Sequence, residues 1–330
     1  MKTNLAFVLW VLLTATGAAH ANLTRPLAKD GPTPIFVSVY VLDIDEVNSA
    51  DQSFKANVIY QMRWRDPSLS HRGPGRVRRP LSEVWHPALQ IVSQQRVFPT
   101  FAELAEIAPD GEVLYRQRVW GSFSQPLNVR RFPFDRQIFN LHFVSEAYRP
   151  DEVQLTQDAQ VKSGIADVLS FADWDIVRWE TRTEAYRTNP QAEPIAGFVF
   201  SFEATRRYGY FVLKIILPLF FIVAMSWAVF WIDPHEGATQ ISVSITTILT
   251  LIAYQFSIGH EVPRVSYLTR LDMFILGSTI LIFGSLVEVM VTTALAKRGQ
   301  ADKALSLDKW SRWLFPAAFA IVVALTILRG

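Results

Sequence analysis

The chain has 330 residues, of which 50% are hydrophobic and 19% charged, with a formal net charge of +2 and no cysteine. The length allows two domains, and scattered basic residues on a nearly neutral chain give no reason to expect binding to nucleic acid. The absence of cysteine excludes a disulfide framework, a thiolate metal site and a thiol nucleophile.

Residues 1–21 have the three parts of a secretory signal peptide. Lys2 supplies the charged start, residues 5–13 the apolar run, and Ala19-His20-Ala21 a cleavage site between small residues. A membrane helix is the alternative, but the apolar run is short for a span. We therefore expect the mature protein to begin near Asn22, on the far side of a membrane.

Residues 22–207 predict a β-sandwich. Short alternating runs, punctuated by turn residues, read as strands at 35–41, 56–64 and 138–143 and around Phe198, Phe200 and Phe202. Asp110-Gly111 is typical of a hairpin turn. Many short strands at this spacing favour two packed sheets.

Residues 208–330 predict a four-helix transmembrane bundle, so the fold class is that of an α+β membrane protein. The predicted spans cover about 210–232, 240–260, 268–296 and 310–329, each long enough for a bilayer. Lys297, Arg298, Lys303 and Lys309 crowd the linker before the last span, which places that linker in the cytoplasm. The N-terminal domain, exported by the signal, then lies outside, and four crossings return the C-terminus to that side.

The second span carries more polar residues than the other three. Steps of four and three place one set of its residues on a single stripe, namely Ser242, Thr246, Leu249, Ala253, Phe256 and His260. In a ring of such helices the hydroxyls would replace part of an ion's hydration shell, and Leu249 or Phe256 could close the pore by dewetting. A second polar stripe, with Gln240, Ser244, Thr247 and Tyr254, lies on roughly the opposite face. Spacing alone does not decide which stripe is wet.

Several motifs occur in the order found in one family. The segment 241–250 and Pro263-Arg264-Val265-Ser266-Tyr267 resemble the second transmembrane segment of pentameric ligand-gated ion channels and the loop after it. The turn Phe132-Pro133-Phe134-Asp135 resembles that family's signature loop, Trp85-His86-Pro87 its Trp-x-Pro element, and Pro218 its first-span proline. Gln125 and Phe139 stand where animal members have two bridged cysteines, as in the prokaryotic branch.

The resemblance implies a homopentamer in the lipid bilayer of a bacterial inner membrane, with the N-terminal domain and the C-terminus periplasmic and the stripe from Ser242 to His260 lining the pore. It also implies that Asp135 meets Arg206 at the junction of the two domains. Asp45 and Glu46, expected in the turn between the first two strands, and Pro263 would complete the coupling contacts.

Ion selectivity is predicted from charges near the pore mouths. Acidic rings favour cations, and Glu236 precedes Ser242 by six residues at the cytoplasmic mouth. Relatives that select cations have this Glu closer to the helix start, where this chain has Ala238 and Thr239. We expect monovalent cations to permeate.

The resemblance places an agonist site between subunits, among aromatic side chains that hold amines by cation–π attraction. The residues expected there are Tyr186, Glu146, Tyr148, Ile59, Arg96 and Arg116. Several of these positions are not aromatic, so the cage is incomplete, and an amine-like agonist and protons, titrating Glu and His260, are both open. Glu288, in the third span, is an intramembrane carboxylate whose partner the sequence does not assign.

The sequence therefore predicts a ligand- or pH-gated cation channel. It shows no nucleophile with a partnered base, no phosphate loop and no metal-spaced ligands, so neither an enzyme nor a cofactor is expected. Two alternatives remain, a membrane-anchored ligand sensor that does not conduct and a secondary transporter, although the transporter would show inverted repeats.

Overall fold

The computed structural model describes residues 23–26 and 31–328, and the expected signal peptide lies outside that part of the chain. Strands occupy the first two thirds of the chain. Their bounds are β1 (Thr33–Asn48), β2 (Ser53–Arg65), β3 (Val77–Pro80), β4 (Leu89–Ile91), β5 (Gln94–Pro99), β6 (Leu104–Ile107), β7 (Glu112–Ser124), β8 (Arg136–Ser145), β9 (Val153–Gln157), β10 (Gly164–Ile165), β11 (Trp174–Thr183) and β12 (Gly197–Arg206).

The strands form two sheets, which confirms the predicted β-sandwich. The larger sheet runs β10-β1-β2-β7-β6-β3, with β9 paired to β1 and β5 paired to β7, and the smaller runs β11-β12-β8-β4. The hairpin predicted at Asp110-Gly111 joins β6 to β7, and Gly111 has a positive φ of 81°. A side chain there would meet the backbone carbonyl of Asp66, so both conformation and space require glycine.

Aromatic side chains fill the space between the sheets. Alternation along each strand sends one set of residues inward, and burial follows it closely in β7. Phe54 of the larger sheet packs against Phe139 and Phe202 of the smaller one, with ring centroids 5.1 Å and 6.1 Å apart. These contacts hold the sheets together by apolar burial.

Four long helices follow the sandwich, α1 (Gly209–Trp231), α2 (Gly237–Ile258), α3 (Arg270–Lys297) and α4 (Ala301–Val323). In the described part of the chain, the first three are long and apolar enough to cross a membrane. Helix α4 begins earlier than the predicted span and carries charges in its first half, so its crossing stays a prediction. Thr269 caps the start of α3: its hydroxyl accepts from the N–H of Asp272, and the carboxylate of Asp272 accepts from the N–H of Thr269.

A proline in α4 leaves one backbone carbonyl without its helical hydrogen bond, and a side chain of α1 donates to that carbonyl instead. Pro316 has no N–H, so the carbonyl of Arg312, four residues earlier, lacks its helical partner. The indole Nε1–H of Trp227 donates to that carbonyl at 3.0 Å. Nε of Arg312 in turn donates to the carbonyl of Phe230 at 2.9 Å. The N-terminal half of α4 is thereby fixed to the end of α1.

Candidate functional sites

Helix α2 has one face packed against the rest of the chain and one face exposed. Gln240, Ser244 and Thr247 are buried, and the Tyr254 hydroxyl donates to the carbonyl of Ile215 at 2.7 Å. Every member of the other stripe is exposed, namely Ser242, Thr246, Leu249, Ala253, Phe256 and His260. The exposed fraction is 62% for Leu249 and 80% for Phe256. The structure thus separates the two polar stripes that spacing leaves equivalent.

The hydroxyls on α2 donate to their own helix. Thr246 donates to the carbonyl of Ser242 at 2.8 Å, and Thr250 to that of Thr246 at 2.8 Å. A hydroxyl has one proton and two lone pairs, so each oxygen keeps acceptor capacity toward solvent. The exposed stripe therefore presents acceptor oxygens near its start and apolar side chains further along.

Glu236 lies in the short turn Pro234–Glu236 that leads into α2. It is exposed, and its side chain makes no capping hydrogen bond with the helix. Asp233 accepts from the N–H of His235 at 2.9 Å and fixes the start of the turn. The carboxylate of Glu236 is therefore available to solvent at the N-terminus of α2, where the helix dipole favours negative charge.

Asp135 and Arg206 form a buried ion pair at the end of the sandwich. Two bonds join them, at 2.7 Å from Nε and 3.2 Å from an Nη atom, and the exposed fractions of the side chains are 1% and 8%. The guanidinium also lies over the rings of Trp174 and Phe132, at 4.2 Å and 4.9 Å. The structure thus brings this predicted pair together.

The turn that contains Asp135 contacts the transmembrane helices directly. The carbonyl of Phe132 accepts from the N–H of Leu271 at 3.2 Å, and the carbonyl of Arg130 accepts from that of Arg270 at 3.0 Å. These bonds use two of the N–H groups that a helix N-terminus leaves without intrahelical partners. The Phe132 ring also packs edge-on against Phe211 of α1, at 4.8 Å. One turn therefore connects the sandwich to both α1 and α3.

Two of the remaining coupling residues line a cavity of about 390 Å³ between the two domains. Glu46, Pro263 and Arg206 all line it. The expectation that Asp45 and Glu46 lie in a turn is wrong, because β1 continues to Asn48. Their carboxylates bind within the sandwich, Asp45 to the indole of Trp120 at 2.7 Å and Glu46 to Lys55 at 2.6 Å.

Three predicted ligand residues lie near one another at one end of the smaller sheet. Tyr186 bridges to Ile195 across the hairpin between β11 and β12. The Tyr148 hydroxyl accepts from the indole of Trp85 at 2.7 Å, and its carbonyl accepts from the N–H of Ala196. Glu146 is exposed and accepts from Gln90 at 2.7 Å.

The other three ligand residues belong to the larger sheet. Ile59 is on β2, Arg96 on β5 and Arg116 on β7, where Arg116 approaches Glu106 at 3.5 Å. Within one chain, then, the six predicted ligand residues form two separate groups on two sheets.

Two further contacts are not predicted from the sequence. His142 of β8 packs under Tyr186, with ring centroids 5.0 Å apart. Glu288 of α3 faces Asp308 of α4, and none of their four carboxylate oxygens, all buried, has a hydrogen-bond partner among the described residues. Both contacts join residues that are distant in sequence, so no local sequence pattern predicts them.

The sequence matches two family models. The neurotransmitter-gated ion-channel ligand binding domain matches residues 11–208, and the neurotransmitter-gated ion-channel transmembrane region matches residues 215–306. The first match alone covers more than half of the chain.

Similar proteins are ion channels and receptor subunits. A proton-gated ion channel of Gloeobacter violaceus is 24% identical over 95% of this chain and 88% of its own length. The mouse gamma-aminobutyric acid receptor subunit alpha-2 is 26% identical over 92% of this chain and 71% of its own length. The pH-sensitive chloride channel 2 of Anopheles gambiae is 26% identical over 84% of this chain and 49% of its own length. These proteins are not enzymes, and the chain belongs to the family of pentameric, neurotransmitter-gated ion channels.

Proposed function

We propose that five copies of this chain form a cation channel in which α2 lines the pore. The carrying observation is the exposed stripe of α2, since Leu249 and Phe256 are open to solvent on a helix whose opposite face is packed. An apolar and hydroxyl-bearing stripe on a membrane helix needs either lipid or other copies of the helix beside it. The acceptor oxygens of Ser242 and Thr246 fit a wet axis better than lipid.

Exposed aromatic side chains on the larger sheet support assembly. The exposed fractions of Phe98, Trp120 and Tyr40 are 57%, 44% and 39%. Exposed apolar patches of this kind mark protein contacts. A neighbouring subunit on this face would bring its Tyr186, Glu146 and Tyr148 toward Ile59, Arg96 and Arg116, which lie apart within one chain, and complete one ligand site.

Selectivity for monovalent cations is proposed from Glu236. Its exposed carboxylate stands at the start of α2, where five copies would form an acidic ring. Glu261, also exposed, adds an acidic group at the other end of the helix. One relative is named a chloride channel, so the charge of the permeant ion needs direct measurement.

The proposed stimulus is an amine-like ligand or protons. Tyr186 and Tyr148 offer aromatic faces, and Glu146 offers a counter-charge to an ammonium group. A relative named as proton-gated gives equal weight to protons. In either case the ion pair of Asp135 and Arg206 would carry the change to α1 and α3, with the N-terminal domain periplasmic and α2 in the inner membrane.

Recording purified protein in planar lipid bilayers tests the proposal. We expect single-channel steps under some pH or amine in a panel, and a reversal potential that follows potassium in a KCl gradient. Glu236→Gln should move the reversal potential toward that of chloride, whereas Glu83→Gln, on an exposed residue of the sandwich, should leave it unchanged. Absence of steps under every stimulus would leave a non-conducting sensor as the function. A wild-type reversal potential that follows chloride would refute cation selectivity alone.

A further inference from the structure

His142 lies under the hairpin between β11 and β12. It alternates with the core residues Leu141 and Phe143 on β8, so its ring points away from the core. The Tyr186 ring covers it at 5.0 Å and an interplanar angle of 83°. A titratable ring is therefore held between the smaller sheet and the hairpin that carries a proposed ligand residue.

The histidine ring fits closely in this place. A Cβ added to Gly197, at the start of β12, would come within 3.1 Å of its Nε2 and would collide with the carbonyl of Glu184. Nε2 is buried and has no hydrogen-bond partner within the described ranges. Solvent thus has no access to this nitrogen while the hairpin stays closed.

Charged groups around the ring come mainly from the hairpin side. The carboxylate of Glu184 is bound by Nε of Arg182 at 2.6 Å, and both charges act on His142. Beyond the end of β8, the carboxylate of Glu146 accepts a hydrogen bond from the side-chain amide of Gln90, on β4, at 2.7 Å. The negative charge nearest the ring is thus already compensated by a neighbouring guanidinium.

We propose that protonation of His142 opens the hairpin over the ligand site, so that acid regulates access to that site. An imidazolium in this place would need two hydrogen-bond acceptors or water. The carbonyl of Glu184 lies near the ring, but Nε2 makes no hydrogen bond in the closed hairpin among the described residues, and Arg182 repels the new charge. Displacement of Tyr186 and Glu184 would let water reach the ring.

The pKa of His142 in the closed hairpin determines whether acid opens or closes it. Burial lowers the pKa of His142 below its ordinary value of 6.5, the carbonyl and charge of Glu184 oppose this, and Arg182 adds to it. A lowered pKa means that the closed form binds a proton more weakly than a form with the ring in water. Protons therefore favour the open hairpin as pH falls below the ordinary value.

The link to ligand access rests on the proposed function, but the motion of the hairpin does not. Because the chain contains no cysteine, a single Gln191→Cys substitution at the exposed hairpin gives one labelling site. A nitroxide attached there reports local mobility by electron paramagnetic resonance on the full-length protein in phosphatidylcholine vesicles. We expect mobility to rise between about pH 8 and about pH 4.5, the range in which histidines titrate, with a midpoint below 6.5.

Three variants in the labelled background make the test specific. His142→Gln should abolish the rise, and His71→Gln, in a histidine remote from the hairpin, should preserve it. Arg182→Gln removes a charge that repels the imidazolium in the closed hairpin, so the closed form should bind the proton more tightly and the rise should be smaller. An unresponsive wild type, a rise that survives in His142→Gln, or an undiminished rise in Arg182→Gln would overturn the inference. A pH-responsive hairpin in a chain that never conducts would refute the proposed function instead.

Discussion

The side-chain amide of Gln125 bonds to the backbone on both sides of Phe139. Its Nε2 donates to the carbonyl of Ile138, and its Oε1 accepts from the N–H of Asn140 at 2.8 Å. Gln125 and Phe139 stand at the positions that resemble the bridged cysteines of animal members. Two hydrogen bonds therefore close the segment that contains the Asp135 turn, without a covalent bond.

Loss of this amide should loosen the closed segment. Gln125→Ala removes two hydrogen bonds from a half-buried group, so we expect a loss of about 1–2 kcal/mol in the free energy of unfolding. Gln154→Ala, on an exposed side chain of β9, should change it by less than about 0.5 kcal/mol. Thermal denaturation followed by circular dichroism measures both. Equal stability of the two variants would show that the amide does not hold the segment.

Neighbouring arginines provide a matched test of the domain junction. Arg206→Gln leaves the carboxylate of Asp135 buried without its cation, which costs about 3–5 kcal/mol. Arg207→Gln breaks a pair with Asp175 in which both side chains are 57% exposed, and such pairs contribute about 1 kcal/mol or less. Denaturant unfolding of the purified variants should rank them in that order. The reverse order would contradict the assignment of Arg206 to the junction.

Acid should weaken the sandwich through a second ion pair. Burial alone raises the pKa of Asp158, but two bonds from Arg63, at 2.8 Å and 3.0 Å, and its charge hold that pKa below the ordinary 3.8. A depressed pKa means that the unfolded chain binds the proton more tightly, so this stability is present above about pH 4 and is lost below it.

The melting temperature at several pH values checks this dependence. Asp158→Asn should melt lower than wild type at neutral pH, and the gap should narrow below about pH 4. Asp151→Asn, on a carboxylate whose side chain is 69% exposed, should follow the wild-type curve. A constant gap across the pH range would mean that the ionised form of Asp158 contributes nothing.

Local sequence patterns predict the sandwich and the helices because they depend on periodicity. Alternating residues in β7 and the long apolar runs of α1 and α3 leave few other structures. Periodicity does not say what a helix face contacts. The two polar stripes of α2, one with Ser242 and one with Ser244, are therefore equally good candidates for the pore until the positions of the other helices are known. Resemblance favours the first, and burial of the second agrees with it.

Contacts between distant residues are what the sequence cannot supply. Glu288 and Asp308 meet only because α3 and α4 pack together, and His142 is covered only because the hairpin folds back over β8. The prediction that Glu46 lies in a turn was wrong for a different reason. Its strand continues through acidic residues that are depleted in strands, because pairing with β2 outweighs the local preference.

The proposed gate makes opposite predictions for two leucines on one helix. Leu249→Ala removes an exposed apolar side chain, so it should ease opening by shortening the hydrophobic barrier. Leu251→Ala removes a side chain that is 1% exposed, on the packed face, so it should cost about 2–5 kcal/mol of stability instead. Single-channel open probability and thermal stability separate the effects. A Leu249→Ala channel that opens less readily would place the gate elsewhere.

The carboxyl pair between α3 and α4 should respond to a single amide substitution. Asp308→Asn replaces one of two buried carboxyl groups that lack hydrogen-bond partners with an amide, which gives Glu288 an N–H donor, so we expect stability to rise by about 1–3 kcal/mol. Asp302→Asn changes an exposed carboxylate in the first turn of α4, where negative charge is favourable, and should give no increase. Thermal unfolding in one detergent compares the two. A lower melting temperature for Asp308→Asn would mean that the charge of Asp308 stabilises the native state, through Arg312 or a bound cation.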